Sequence, residues 1–235
     1  MRHPPLALML FAAGFGTRMG QLTANRPKPL IPVAGRPLID HALDIAAGAN
    51  VTRIVANLHY LGDQLAQHLG DRVALSWERD LILDTGGGLK AALPLLGPGP
   101  VLTLNTDAVW TGANPLAHLM DAWDGDRMDV LFLTLPAAKT RSATGRSDFV
   151  LDTEGRITWA NGRDGVLYLG AQIIHPRLVS EVPGEAFSLH APWTNAMNAG
   201  RAYGITHIGD WCDVGHPKGI VYAEQMLAAS GAAHV

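Results

Sequence analysis

Residues 11–30, FAAGFGTRMGQLTANRPKPL, set three glycines (Gly14, Gly16, Gly20) among three cations (Arg18, Arg26, Lys28). Glycine lets the backbone take positive φ and approach a ligand closely, so several N–H groups can converge on one anion. The arginines and the lysine add full positive charge, and together these residues suit a polyphosphate. The charge balance agrees: residues 1–39 carry five Lys/Arg and no acid, whereas the whole chain carries −3, so the remainder carries about −8. Such asymmetry points to a bound polyanion.

Two acids could face that anion. Asp107 stands just past the apolar run at 101–105, and a hard carboxylate oxygen at a strand end suits Mg2+. Taken alone, Asp107 reads as a turn-capping residue. Asp213 lies in W-C-D-V-G-H-P at 211–217. A second glycine-rich stretch, D-T-G-G-G at 84–88, offers backbone N–H groups where a helix begins and a side-chain-free surface for a flat base. Asn57 and Asn105 sit at strand ends and read equally as ligand contacts or turn residues, while His59 and Tyr60 read as turn residues. Trp77, Trp110 and Trp123 read as core or rim aromatics.

The elements that must position these groups follow from periodicity. The continuous apolar run at 6–13 is expected of a strand covered on both faces in a parallel sheet. Helices are expected at 38–48, 61–69, 87–96, 115–123, 194–199 and from Pro217, and strands at 53–57, 73–77, 101–105, 130–135, 166–174 and 205–208, with a hairpin over 149–160. The βαβα order up to residue 107 predicts a doubly wound, mostly parallel Rossmann-like α/β sheet with a ligand crevice at the strands' carboxyl ends. The second half is expected to be more antiparallel, and 137–147 to be a mobile loop. At 235 residues one domain is expected, with a nucleotide-binding half over about 1–112 and a second half over about 113–235.

G-x-G-T-R at 14–18 followed by R-P-K-P-L at 26–30 resembles the signature of sugar-1-phosphate nucleotidyltransferases, nearest to N-acetylmuramate-1-phosphate uridylyltransferases and mannose-1-phosphate guanylyltransferase-like proteins. The resemblance runs in motif order from about Leu6 to Pro217. It implies Mg2+-dependent transfer of a nucleotidyl group from an NTP to a sugar 1-phosphate, releasing pyrophosphate. By it, Arg18 grips the departing phosphates and Lys28 meets the α-phosphate. Ala12, Ala13, Gly14, Gly16, Thr17, Asn57, Asp84, Gly87 and Asn105 hold the nucleotide, and Asp107 and Asp213 hold the metal. D-T-G-G-G is similar to the E-T-G-G-G of muramate-phosphate uridylyltransferases and favours UTP. On the sugar side it implies Gly145, Arg163 and Gly170, with Arg141, Arg146 and Arg163 as cations for a lactyl carboxylate. Three departures stand out: His216 where threonine is usual, no E-K-P lysine before Val166, and Leu169 in place of a polar residue.

Other classes are weaker. A dinucleotide-binding oxidoreductase needs G-x-G-x-x-G, but Met19 holds the last glycine's place and no acid ends the second strand. A non-catalytic nucleotide-sugar-binding regulatory domain stays open, as do GTP with mannose 1-phosphate and CTP with an amino-alcohol phosphate as substrates. Mild acidity without a long Lys/Arg run excludes nucleic acid as main partner, and no apolar run is long enough to span a membrane. The lone Cys212 fits a reducing compartment and reads as structural. A cytoplasmic monomer or homodimer acting on small-molecule substrates is expected.

Overall fold

The structure, a computed structural model, describes residues 7–140 and 147–231. In chain order it forms β1 (Ala7–Phe11), 3-10 segments at Thr17–Thr23 and Lys28–Leu30, β2 (Pro32–Val33), β3 (Arg36–Pro37), α1 (Leu38–Gly48), β4 (Arg53–Leu58), α2 (Gly62–Leu69), β5 (Ala74–Trp77), α3 (Asp84–Leu96), β6 (Val101–Asn105), β7 (Ala108–Trp110), α4 (Pro115–Ala122) and β8 (Val130–Pro136). There follow β9 (Phe149–Leu151), β10 (Ile157–Trp159), β11 (Val166–Ile174), α5 (Arg177–Ser180), α6 (His190–Asn198), β12 (Ala202–Thr206), β13 (Trp211–Asp213) and α7 (Pro217–Ala229). Residues 141–146, most of the expected mobile loop, lie outside the described residues; Ala137–Lys139 before them form a short 3-10 turn.

Strands from both halves join one sheet in the order β5-β4-β1-β6-β11-β8-β12, with the β9–β10 hairpin attached to the start of β11. β5, β4, β1 and β6 are parallel, as the βαβα order predicted. β11 runs antiparallel to both β6 and β8. The second half is more antiparallel, as expected, although β12 returns parallel to β8. Alternation along the strands splits the core. Leu8 and Leu10 pack with Ile39 of α1, Leu65 of α2 and Leu116 of α4, whereas Ala7 and Met9 pack with Leu89 of α3 and Ala196 of α6. A strand covered on both faces has no solvent side, which is why β1 reads as unbroken apolar sequence.

Three boundaries differ from the sequence reading for local reasons. α6 begins at His190, because Pro192 sits in the first turn, where its missing N–H has no partner to lose. β12 begins at Ala202 and includes Gly204, where a Cβ would lie 2.4 Å from Ile157 Cδ1. α3 begins at Asp84, so Gly86–Gly88 lie inside its first turns. None of the described helices is long and apolar enough to cross a membrane.

A third core cluster lies beside the glycine loop. Met19, Ile31, Val33, Val109, Cys212, Val214, Ala223 and Leu227 bring the two 3-10 segments, β7, β13 and α7 together. Buried Cys212 belongs to this packing. Deleting a buried leucine loses its transfer free energy and leaves a cavity. Leu227→Ala is therefore expected to cost about 2–5 kcal/mol, read as a lowered urea midpoint with unchanged slope; an unchanged midpoint would detach α7 from this core.

Candidate active site

The carboxyl ends of β1, β4, β5 and β6 open onto a cleft of about 220 Å3, lined in part by Ala12, Ala13, Gly14, Lys28, Asn57, Glu78, Asp84, Thr85, Asn105 and Asp107. The glycines of the loop leaving β1 serve different ends. At Gly16, φ is +63° and a Cβ would lie 2.9 Å from Lys28 Cβ and from Thr23, so its bare side admits the protein. At Gly14 a Cβ would meet nothing within 4 Å, which leaves open space for a ligand. The N–H groups of Ala13, Gly14 and Phe15 have no acceptor among the described residues. Such amides at a strand's carboxyl end suit phosphate oxygens.

Lys28 is only 9% exposed, and a buried ammonium needs a partner. Its Nζ donates to Asp107 Oδ2 at 2.7 Å. Asp213, 106 residues further on, is brought to the same place by the β7–β13 ladder, which pairs Asp213 with Ala108, and by Val214 N–H donating to the Asp107 carbonyl at 2.8 Å. Burial, and then the charge of Asp107, hold the Asp213 carboxyl above its ordinary value, while Lys28, Arg18 and His216 pull it back. Arg18 reaches this spot from the 3-10 segment. A Cβ on Gly215 would lie 2.5 Å from Asp213 Oδ2 and 3.1 Å from both terminal nitrogens of Arg18. Arg18, Lys28, Asp107 and Asp213 thus converge. His216 caps α7, its Nδ1 accepting the Gly219 N–H at 3.2 Å, as a threonine at that position would.

The other wall hangs on a carboxylate that the sequence reading did not single out. Glu78, 3% exposed, accepts from Asn57 Nδ2 at 2.7 Å and from Leu83 N–H at 2.8 Å, and Asn57 Oδ1 accepts the Ala12 N–H at 2.7 Å. One chain of hydrogen bonds therefore ties the ends of β1 and β4 to the loop after β5 and the approach to α3. Ala12 and Asn57 line the cleft with these groups already engaged. His59 Nδ1 meets the Glu78 carbonyl at 2.6 Å and the Tyr60 hydroxyl donates to the Thr23 carbonyl at 2.8 Å, both tying loops together. The signal for Glu78 was present: like Asp107, it is an acid just past a strand.

Several expected contacts are corrected. Gly87 is buried, its N–H goes to the Phe187 carbonyl at 3.0 Å, and a Cβ there would lie 2.0 Å from the Glu185 carbonyl oxygen. Gly86 and Gly87 admit the segment before α6, and Gly88 admits Glu78 and Asn57; of that stretch, Asp84 and Thr85 face the cleft. Arg163 does not line the cleft, and its guanidinium donates to the carbonyls of Ala160 and Trp159. Gly16 and Thr17 stand at the cleft's edge, outside its lining. Gly170, at φ +80°, stands beside the cleft-lining Asn105, where a Cβ would sit 2.8 Å from Asn105 Nδ2. Gly145, Arg141 and Arg146 lie outside the described residues.

Comparison with known proteins agrees with this geometry. Residues 8–228 match the MobA-like NTP transferase domain. The chain is 37% identical to the N-acetylmuramate alpha-1-phosphate uridylyltransferase of Caulobacter vibrioides, over 97% of this chain and 99% of that protein. It is 35% identical to the protein of the same name from Neisseria meningitidis serogroup B, over 88% and 92% of the two chains. Among solved structures, HddC from Yersinia pseudotuberculosis, complexed with GMP-PN, superposes with a TM-score of 0.75 at 18% identity, over 93% of this chain and 98% of that one, a likeness of fold. The chain belongs to the MobA-like NTP transferase domain family and is a nucleotidyltransferase.

Proposed function

We propose that the chain transfers a uridylyl group from UTP to N-acetylmuramate 1-phosphate, forming the UDP-sugar and pyrophosphate, with Mg2+ as cofactor. The observation that carries the reading is the meeting of Arg18, Lys28, Asp107 and Asp213 beside a loop of open amides. The acceptor and the base come from the two uridylyltransferases matched over most of their length. A regulatory domain that only held a nucleotide sugar would have no use for two carboxylates forced together beside a buried lysine.

The donor set fits Mg2+: two hard carboxylates, Asp213 raised by burial and then by the charge of Asp107, and among the described residues no group of three or more His, Cys, Asp or Glu side chains could hold a metal ion. Mg2+ is commonly held by one or two carboxylates with substrate phosphates and water completing its shell. Bound between Asp107 and Asp213, the ion would offset the charge of the two phosphates that must approach each other. The chain's own residues do the rest by position and charge. The open amides at 13–15 and Arg18 hold the β- and γ-phosphates, and Lys28 lies against the α-phosphate. An oxygen of the acceptor phosphate attacks that phosphorus and pyrophosphate leaves, so no protein nucleophile is required.

Three outcomes are expected. Pyrophosphate release, measured for each of the four NTPs against N-acetylmuramate, mannose and glucose 1-phosphates with Mg2+, should be fastest for UTP with N-acetylmuramate 1-phosphate; preference for GTP with mannose 1-phosphate would replace this reading by guanylyl transfer. Asp107→Asn should lower turnover roughly a thousandfold, the loss of a metal ligand worth several kcal/mol, while circular dichroism stays unchanged; near-normal turnover would remove Asp107 from the metal site. Glu78→Gln sets an NH2 against the Leu83 N–H or the Asn57 amide. The KM for UTP should rise about tenfold or more, from the loss of hydrogen bonds to a charged group, with the acceptor KM little changed; equal rises in both would deny Glu78 its place in shaping the nucleotide wall.

A further inference from the structure

The amides at 13–15, which have no acceptor among the described residues, need something other than their own hydrogen bonds to hold their shape. On one side the Ala12 N–H is tied to Asn57 Oδ1 at 2.7 Å, and on the other Gly16 packs on Lys28 and Thr23. Between these ties the backbone is poorly supported. A Cβ on Gly14 would meet nothing within 4 Å, and glycines flank Phe15 on both sides, leaving conformational freedom that an ordered loop must give up. Over residues 12–16, AAGFG, Phe15 carries the only side chain larger than a methyl group.

Phe15 is 44% exposed and is not part of the cleft lining. Its ring rests on the turn between β4 and α2. Ring centres lie 5.3 Å from His59, edge-on at 87°, and 5.6 Å from Tyr60, tilted at 54°. Aromatic pairs in such arrangements attract beyond the area they cover. The turn is itself firmly held: His59 Nδ1 meets the Glu78 carbonyl at 2.6 Å, and a Cβ on Gly62 would lie 2.8 Å from the Trp77 ring. It also takes the far end of the glycine-rich segment. The Tyr60 hydroxyl donates to the Thr23 carbonyl at 2.8 Å, and Gln64 Nε2 donates to the Asn25 carbonyl at 3.2 Å. The open amides therefore lie between the ties at Ala12 and Phe15, and Arg18 lies between those at Phe15 and Thr23.

We infer that Phe15 is a positioning residue: its ring, seated on His59 and Tyr60, fixes the amides of residues 13–15 in the shape that receives the β- and γ-phosphates. This rests on the proposed reaction and adds to it a side chain that acts without touching substrate. A loop already in its bound shape binds more tightly than one that must first be ordered. Ligands that reach the loop should therefore sense the ring, and ligands that occupy only the rest of the cleft should not.

The test is titration calorimetry on the full chain in Mg2+ with UTP, inorganic pyrophosphate and UMP, the last of which has no β- or γ-phosphate. Phe15→Ala should weaken UTP and pyrophosphate each about tenfold, the loss of two aromatic contacts, and leave UMP unchanged. The KM for UTP should rise by the same factor while the acceptor KM stays as it was. Phe15→Tyr, which keeps the ring, should bind all three ligands as the wild type does. Phe15→Leu keeps apolar bulk without the aromatic edges; it should weaken the same two ligands by a smaller factor and serves if Phe15→Ala fails to fold. Equal weakening of all three ligands, or no change in any, would reduce the ring to surface packing and overturn the inference alone. Wild-type protein that binds neither UTP nor pyrophosphate would overturn the proposed reaction itself.

Discussion

Two carboxylates that repel one another are held together at the centre of this molecule, and much of its C-terminal architecture exists to hold them. Asp107 arrives at the end of a buried parallel strand, a position the α/β fold supplies without further cost. Asp213 has to be carried there. The three-residue ladder of β7 with β13, the Val214 N–H on the Asp107 carbonyl and the packing of Cys212 and Val214 against α7 do so. Burial, and then the like charge of Asp107, raises Asp213, and Lys28 and Arg18 lower it. The balance is therefore local: cations of the glycine-rich segment offset acids delivered from two other parts of the chain. Both cations ride on elements of the third core cluster, since Met19 follows Arg18 and Ile31 closes the turn that holds Lys28. Packing and electrostatics are one constraint here, because loosening the small core would separate the charges it assembles.

The nucleotide wall obeys a different logic. It contains one buried carboxylate, Glu78, and every lone pair seen to be used takes a donor from a different element. A buried charge is tolerated when hydrogen bonds satisfy it. Here the same bonds fix the distance between the β1 and β4 ends and the approach to α3, which sets the width of the cleft. The bare glycines of α3 complete this wall from behind. Gly86 and Gly87 let the segment containing Glu185 and Phe187 lie on the helix backbone, and Leu189 N–H reaches the Thr85 hydroxyl at 3.1 Å. The helix that lines this side of the cleft is thereby bound to the segment leading into α6, and the two cannot shift independently without breaking these contacts.

Much of this was legible in the sequence, and the part that was not has a physical reason. Strands β1, β4, β5 and β6 and the helices between them announce themselves by unbroken apolar runs and 3.6-residue stripes, and Asp107 by its place after such a run. Lys28 could be named from R-P-K-P-L, although its burial and its bond to Asp107 could not. That Asp213 meets Asp107 was invisible to periodicity, since β7 and β13 are too short to show any and pair across a hundred residues. The glycines at 86–88 misled because a missing side chain looks the same whether a base or a backbone will fill the space. Arg163 is a cation near the expected sugar region, and two of its donors go to carbonyls of its own turn. His216, which stands where threonine is usual in the family, caps α7.

Two of the three departures from the family pattern fall on the expected acceptor side. The lysine of E-K-P is missing, Leu169 replaces a polar residue, and the nearest described cation, Arg163, is turned to the backbone. Neither position takes part in the hydrogen bonds that join Lys28 to Asp107 or Glu78 to Asn57 and Leu83. The wall beside β1 and β4 therefore keeps its geometry whatever stands on the other side of the cleft.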